Sequence, residues 1–124
     1  MSPSACVLAI DHNETIRELV TAVFADEGYD AIAVPDTASA LAVLRRQRPH
    51  LILLDSLPLG GRQDDFVRQY RRLPGPHAPI YLFTTARDAD AQARRLGDDG
   101  VLSKPFDIEV LLTLAQHHDC PARR

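Results

Sequence analysis

Four short apolar runs of this chain each lead into a residue able to do chemistry. Leu51-Ile52-Leu53-Leu54 stops abruptly at Asp55, and the run at 6–10 stops at Asp11, which is followed by His12. Ile80-Tyr81-Leu82-Phe83 ends at Thr84, and Val101-Leu102 is followed by Ser103-Lys104-Pro105. Alone, an Asp in such a place is a nucleophile, a metal ligand, or simply a cap for a turn or helix. Two carboxylates brought together make a hard-cation site of the kind Mg²⁺ occupies through one or two carboxylates and several waters. A hydroxyl and an ammonium on the same edge would then supply donors for an anion built on Asp55. Taken singly, Thr84 is an ordinary strand former and Lys104 an ordinary solvated charge. Their joint placement at run ends points to one site.

The elements that must position these residues are legible in the periodicity. A run that is apolar at every position is covered on both faces, as in parallel sheets flanked by helices. The runs at 6–10, 29–34, 51–54, 80–83 and 101–102 therefore read as five strands. Between them, 14–26 carries Ile16, Leu19, Val20, Val23 and Phe24 at helical spacing, and 37–47 carries Ala38, Leu41, Ala42 and Leu44 likewise. Gly28 suits a left-handed position after the first helix, and Pro49 bars extension of the second. A third helix at 64–73 offers Phe66, Val67, Tyr70 and Leu73 and is stopped by Pro74-Gly75-Pro76. A short Ala-rich fourth helix falls at 88–96, and Asp107 is placed to cap a fifth whose apolar face is Ile108, Leu111, Leu112 and Ala115.

Strictly alternating strands and helices imply an α/β three-layer sandwich with a parallel five-stranded sheet in the order 2-1-3-4-5. In that order strands 1 and 3 meet at the topological switch point, and their carboxyl ends open into one crevice. Those ends are Asp11 and Asp55.

At 124 residues the chain is expected to form a single domain over 1–124, with a core of about 5–118 and a short polar tail at 119–124. Fourteen basic against seventeen acidic residues, a formal net charge of -3, give no general attraction for nucleic acid or an anionic membrane. Neither is expected as a partner. Without a secretory leader or a membrane-length apolar segment, the expected location is cytoplasmic. Cys6 and Cys120 match no metal or disulfide spacing and are expected as free thiols.

Asp11, Asp55, Thr84 and Lys104-Pro105-Phe106, each after its strand, resemble the signature of the receiver domain of bacterial two-component response regulators. The resemblance covers roughly residues 5 to 118. It implies a flavodoxin-like (βα)5 fold and a phosphoryl switch in place of metabolic catalysis. A histidine kinase or phosphotransfer protein would present phosphohistidine, and Asp55 would accept the phosphoryl group. The family's site implies Mg²⁺ held by Asp11, Asp55 and the backbone carbonyl of Leu57, with Thr84 and Lys104 on the phosphoryl oxygens. Beyond self-catalysed acceptance and loss of that group, no enzymatic activity is implied.

The departures from the pattern bear on the same site. The usual acidic pair after the first strand is here Asp11-His12. The second position normally supplies the carboxylate that binds the metal directly, whereas an imidazole suits Zn²⁺ or Cu²⁺ better than Mg²⁺. Mg²⁺ affinity is expected to fall by roughly tenfold or more. Glu14 either compensates through water or serves the helix dipole. The loop Ser56-Leu57-Pro58-Leu59-Gly60-Gly61 carries its Pro and Gly at shifted positions. Val101 stands where the family typically has Tyr or Phe, so the aromatic rotation that couples Thr84 to the outer face is replaced or lost. Thr85 occupies a position that is usually small.

His117-His118 reads as a solvated helix end, and Arg45, Arg46, Arg48, Arg71 and Arg72 as exposed charge near helix ends. With only 119–124 after the fifth helix, the chain is expected to be a stand-alone receiver. Its output would come from a downstream effector protein, onward transfer, or homodimerisation through the fourth helix, fifth strand and fifth helix. The residues admit two functions of different class. One is a phosphorylatable single-domain response regulator. The other is a pseudo-receiver, an interaction module that signals without phosphate because His12 alters the metal site.

Overall fold

The computed structural model describes residues 7–55, 62–84, 100–103 and 108–118. Strand β1 (Val7–Ile10) leads into α1 (Glu14–Asp26), β2 (Ala31–Val34), α2 (Thr37–Leu44), β3 (Leu51–Asp55) and α3 (Arg62–Arg72). Strands β4 (Ile80–Thr84) and β5 (Gly100–Ser103) come next, and helix α4 (Ile108–His117) closes the described chain. The expected helix at 88–96 and the cap Asp107 lie outside the described residues.

All five strands pair in parallel in the order β2-β1-β3-β4-β5, as the alternation predicts. Two apolar clusters, one on each face, fill the sandwich, because successive strand residues point to opposite sides. Leu8, Ile10, Ile52, Leu54, Ile80 and Leu82 face α2 and α3, which contribute Ala40, Leu41, Leu44, Phe66, Val67 and Tyr70. Val7, Ala9, Leu51 and Leu53 face α1 and α4, which contribute Val20, Phe24, Leu111 and Ala115. Every residue of β3 is buried, which is why its sequence shows no polar alternation.

Several boundaries and faces differ from the sequence expectation. Strand β2 starts at Ala31, not 29, because Gly28 at φ 83° turns the chain while Tyr29 N–H still bonds Phe24 O at the end of α1. Tyr29 is instead a core residue, edge-on to Phe24. Helix α2 ends at Leu44 and buries Ala40, leaving Ala38 and Ala42 exposed. Leu19 of α1 and Ile108 of α4, assigned to apolar faces by their spacing, are exposed at 44% and 47%. Helix α3 runs from Arg62 to Arg72, two residues earlier at its start than its apolar stripe suggests, and β4 takes in Thr84. His118 is half-buried, its Nε2 3.0 Å from Tyr81 Oη, so the His117-His118 pair is not a wholly solvated end.

Candidate functional site

The site forms where β1 and β3 lie side by side. Ile10 pairs with Leu54, so Asp11 and Asp55 emerge together at the carboxyl edge of the sheet. Both are buried, each at 1% exposure. Asp11 is fixed by the turn into α1. Asn13 N–H donates to Asp11 Oδ1 at 2.9 Å, while the Asn13 side chain caps α1 by accepting from Ile16 N–H at 3.2 Å. Arg17 Nη1 donates to the Asp11 backbone carbonyl at 2.9 Å, tying the turn to the helix. The sequence reading missed both residues. An Asn immediately before an amphipathic run is a recognisable N-cap signal; nothing in the spacing marks Arg17.

His12 lies across the mouth of the pair. Its Nδ1 is 2.6 Å from Asp55 Oδ2 and 3.7 Å from Asp11 Oδ1, and its side chain is 42% exposed. An ionised carboxylate only accepts, so Nδ1 is the donor. One ligand atom from each of Asp11, His12 and Asp55 lies within 4.8 Å of the others, a spacing that allows all three to reach one metal ion.

The structure places the remaining predicted residues less fully. Asp55 pairs with Phe83 on β4, which sets the backbone of Thr84 one residue farther along the same edge, beside Ser103 of β5. Val101 lies in β5, paired with Leu82. Leu57, Lys104 and the loop at 56–61 lie outside the described residues. A cavity of about 200 Å³ lies at the C-terminal ends of α2 and α3, lined by Leu44, Arg48, Tyr70 and Pro76 among others. No predicted site residue lines it.

A response regulator receiver domain model matches residues 7–116. The chain belongs to that family. Among relatives, the DNA-binding response regulator MtrA of Mycolicibacterium smegmatis is 31% identical over 123 residues, covering 94% of this chain and 53% of MtrA. The chain thus spans about half the length of MtrA. The chemotaxis response regulator CheY4 of Vibrio cholerae is 30% identical, with a TM-score of 0.71 over 93% of this chain and 98% of CheY4. A putative response regulator from Chloroflexus aurantiacus reaches a TM-score of 0.79 at 20% identity, which speaks to the fold alone.

Receiver domains generally bind Mg²⁺, and this chain's acidic pair, Asp11 and Asp55, could hold a metal ion. The two buried carboxylates suit a hard cation, since Mg²⁺ takes oxygen ligands in an octahedral shell. The third donor is the imidazole of His12, and a nitrogen there does not suit Mg²⁺. The fit is therefore good at Asp11 and Asp55 and poor at His12. Among the described residues no helix is long and apolar enough to cross a membrane.

Proposed function

We propose that this receiver domain accepts a phosphoryl group on Asp55 within a two-component phosphorelay. The observation that carries the reading is the convergence of two buried carboxylates at the β1/β3 switch point of a receiver fold. The donor is phosphohistidine on a sensor kinase or a phosphotransfer protein. An Asp55 carboxylate oxygen attacks phosphorus, a P–O bond forms as the P–N bond breaks, and the donor imidazole leaves with a proton. Held by Asp11 and Asp55, a divalent cation, Mg²⁺ in the family, would supply charge neutralisation for the transferring oxygens.

This chain's own residues do the rest. Asp11, held by Asn13, would carry a cation next to Asp55. Thr84 and Lys104 would donate to the phosphoryl oxygens, and the backbone carbonyl of Leu57 would add an oxygen ligand for the cation, as the family's pattern implies. His12 must leave Oδ2 if that oxygen is to attack. Acceptance and loss of the group are self-catalysed, with no turnover of a separate substrate, and the setting is cytoplasmic. Output passes to an effector protein, in contact or in the same chain, or through pairing of the β5 and α4 face.

One observation favours a second reading, a pseudo-receiver that signals by binding alone: the 2.6 Å hydrogen bond from His12 engages the nucleophile itself. Treatment with acetyl phosphate and a divalent cation, followed by intact mass, separates the two. The expected result is a single phosphoryl adduct on the parent and none on Asp55→Asn. A parent that gains no adduct, with Asp55→Asn behaving identically, would leave the pseudo-receiver standing.

A further inference from the structure

We infer that the Asp11, His12 and Asp55 constellation selects borderline divalent cations of the Zn²⁺ and Co²⁺ class over Mg²⁺, with His12 Nδ1 as a direct ligand. The inference rests on the reading of Asp11 and Asp55 as the cation-holding pair of the phosphoryl site.

The ring presents one particular nitrogen to the pair. Nδ1, not Nε2, approaches both carboxylates, at 2.6 Å from Asp55 Oδ2 and 3.7 Å from Asp11 Oδ1. Ligand bonds of about 2.0–2.2 Å put neighbouring donors roughly 3–3.5 Å apart around one ion. The spacing to Asp11 is already close to that value. The spacing to Asp55 must widen by less than about 1 Å on the same count. His12 is the exposed member of the trio, so a small rotation of its ring supplies the change. In ligating, the ring carries its proton on Nε2, and Nδ1 turns its lone pair to the ion.

The selectivity comes from what each ion gains. Mg²⁺ coordinates oxygen and holds its water shell, so it must displace the ring from Asp55 without taking it as a ligand. A Zn²⁺ or Co²⁺ ion converts the same contact from a hydrogen bond into shared coordination, because imidazole is among its preferred donors. The buried carboxylates are held from below by β1 and β3, and Asp11 is further fixed by Asn13. Both carboxylates thus stand at one sheet edge before the ion arrives, their ligand atoms within 4.8 Å of one another and closing on it as it binds. Binding would also lift His12 from its role as a cap on the nucleophile, making a borderline metal the ion that opens Asp55.

Calorimetric titration of the full chain with Mg²⁺ and Co²⁺ in turn, in the parent and in His12→Ala and His12→Asp, tests this. Because Co²⁺ exceeds Mg²⁺ at most carboxylate sites, the ratio in the parent decides nothing; its dependence on His12 does. His12→Ala is expected to weaken Co²⁺ by about tenfold or more while leaving Mg²⁺ equal or tighter. His12→Asp is expected to tighten Mg²⁺ by about tenfold. Circular dichroism of each variant checks that the exposed substitution leaves the fold intact. Equal Co²⁺ affinity in the parent and His12→Ala, or equal losses for both ions, overturns the inference. Intact mass after acetyl phosphate is read on the same samples. An adduct without His12-dependent Co²⁺ binding removes the metal inference and keeps the phosphoacceptor. His12-dependent Co²⁺ binding without an adduct under either ion does the reverse.

Discussion

Replacing Asp11 by Asn should stabilise the metal-free protein and abolish its response to divalent cations. Both carboxylates of the pair are buried, and the ligand atoms of Asp11, His12 and Asp55 lie within 4.8 Å of one another. At that separation two unit charges repel by about 3.5 kcal/mol at an effective dielectric constant near 20. The hydrogen bonds from Asn13 N–H to Asp11 and from His12 to Asp55 offset part of this. About 0.5 kcal/mol of net repulsion remains to be relieved, taking each such bond to a charged group at the low end of its range, about 1.5 kcal/mol. Asn keeps the side-chain volume and an oxygen that still accepts from Asn13, so little is lost in exchange. For a chain of this length the gain corresponds to a rise in Tm of roughly 2 °C. Thermal melts followed by circular dichroism, in chelator and then in excess Co²⁺ or Mg²⁺, measure it. In chelator the variant melts higher. With cation the parent rises by mass action and the variant does not, so the gap narrows or inverts. A variant that melts at or below the parent in chelator would refute the reasoning, since the two carboxylates would then be in no conflict.

Tyr70→Phe removes a phenol whose Oη accepts from Ala78 N–H at 2.6 Å and leaves that N–H without its partner, at a cost of about 1–2 kcal/mol in urea unfolding at neutral pH. Burial, the largest influence, raises the Tyr70 pKa above 10.0 despite the Ala78 hydrogen bond and the nearby Arg48 and Arg71. The folded state then holds the phenol proton more tightly than the unfolded state. Its stabilising share is complete below pH about 10 and is lost as pH rises through the folded value, so the parent's alkaline loss of stability should exceed that of Tyr70→Phe. Asp36→Ala deletes the side-chain acceptor of Ser39 N–H at the start of α2 and should cost about 1 kcal/mol by the same unfolding measurement, with cation binding unchanged. A shift in metal affinity there would show that α2 is coupled to the site.

The architecture was legible because its cause is local and repeated. Leu51 to Leu54 show no polar alternation because helices cover both faces of β3, and β3's neighbours place Asp11 and Asp55 together by topology alone. Periodicity is poorer at the margins of a face. It assigns Leu19 and Ile108 to buried stripes, yet both sit where the helix surface turns toward solvent. It also gives α2 the wrong alanines: the 3.6-residue repeat fixes Leu41 and Leu44 but leaves the choice of small neighbour to packing against the sheet. The link between Tyr81 and His118 joins residues 37 apart in sequence, which no window of local pattern spans.

The candidate site divides along the same line. That two carboxylates converge is a property of strand order, and that His12 replaces an acid is visible in the sequence. Where the imidazole points is neither, because the rotamer of an exposed turn residue answers to its immediate partners. Those partners treat the two carboxylates unequally. Asp11 is held by the backbone of Asn13 in the turn that opens α1, and its own carbonyl is held by Arg17. Asp55 is engaged by the ring of His12, which is exposed to solvent. Substitutions at Asp11 therefore act on a rigid anchor and should register as stability and cation affinity together. Substitutions at His12 should change what meets Asp55 while leaving the sheet beneath it untouched. The exposed ring is for that reason a position at which the proposed metal preference and the access to Asp55 should be alterable without disturbing the fold.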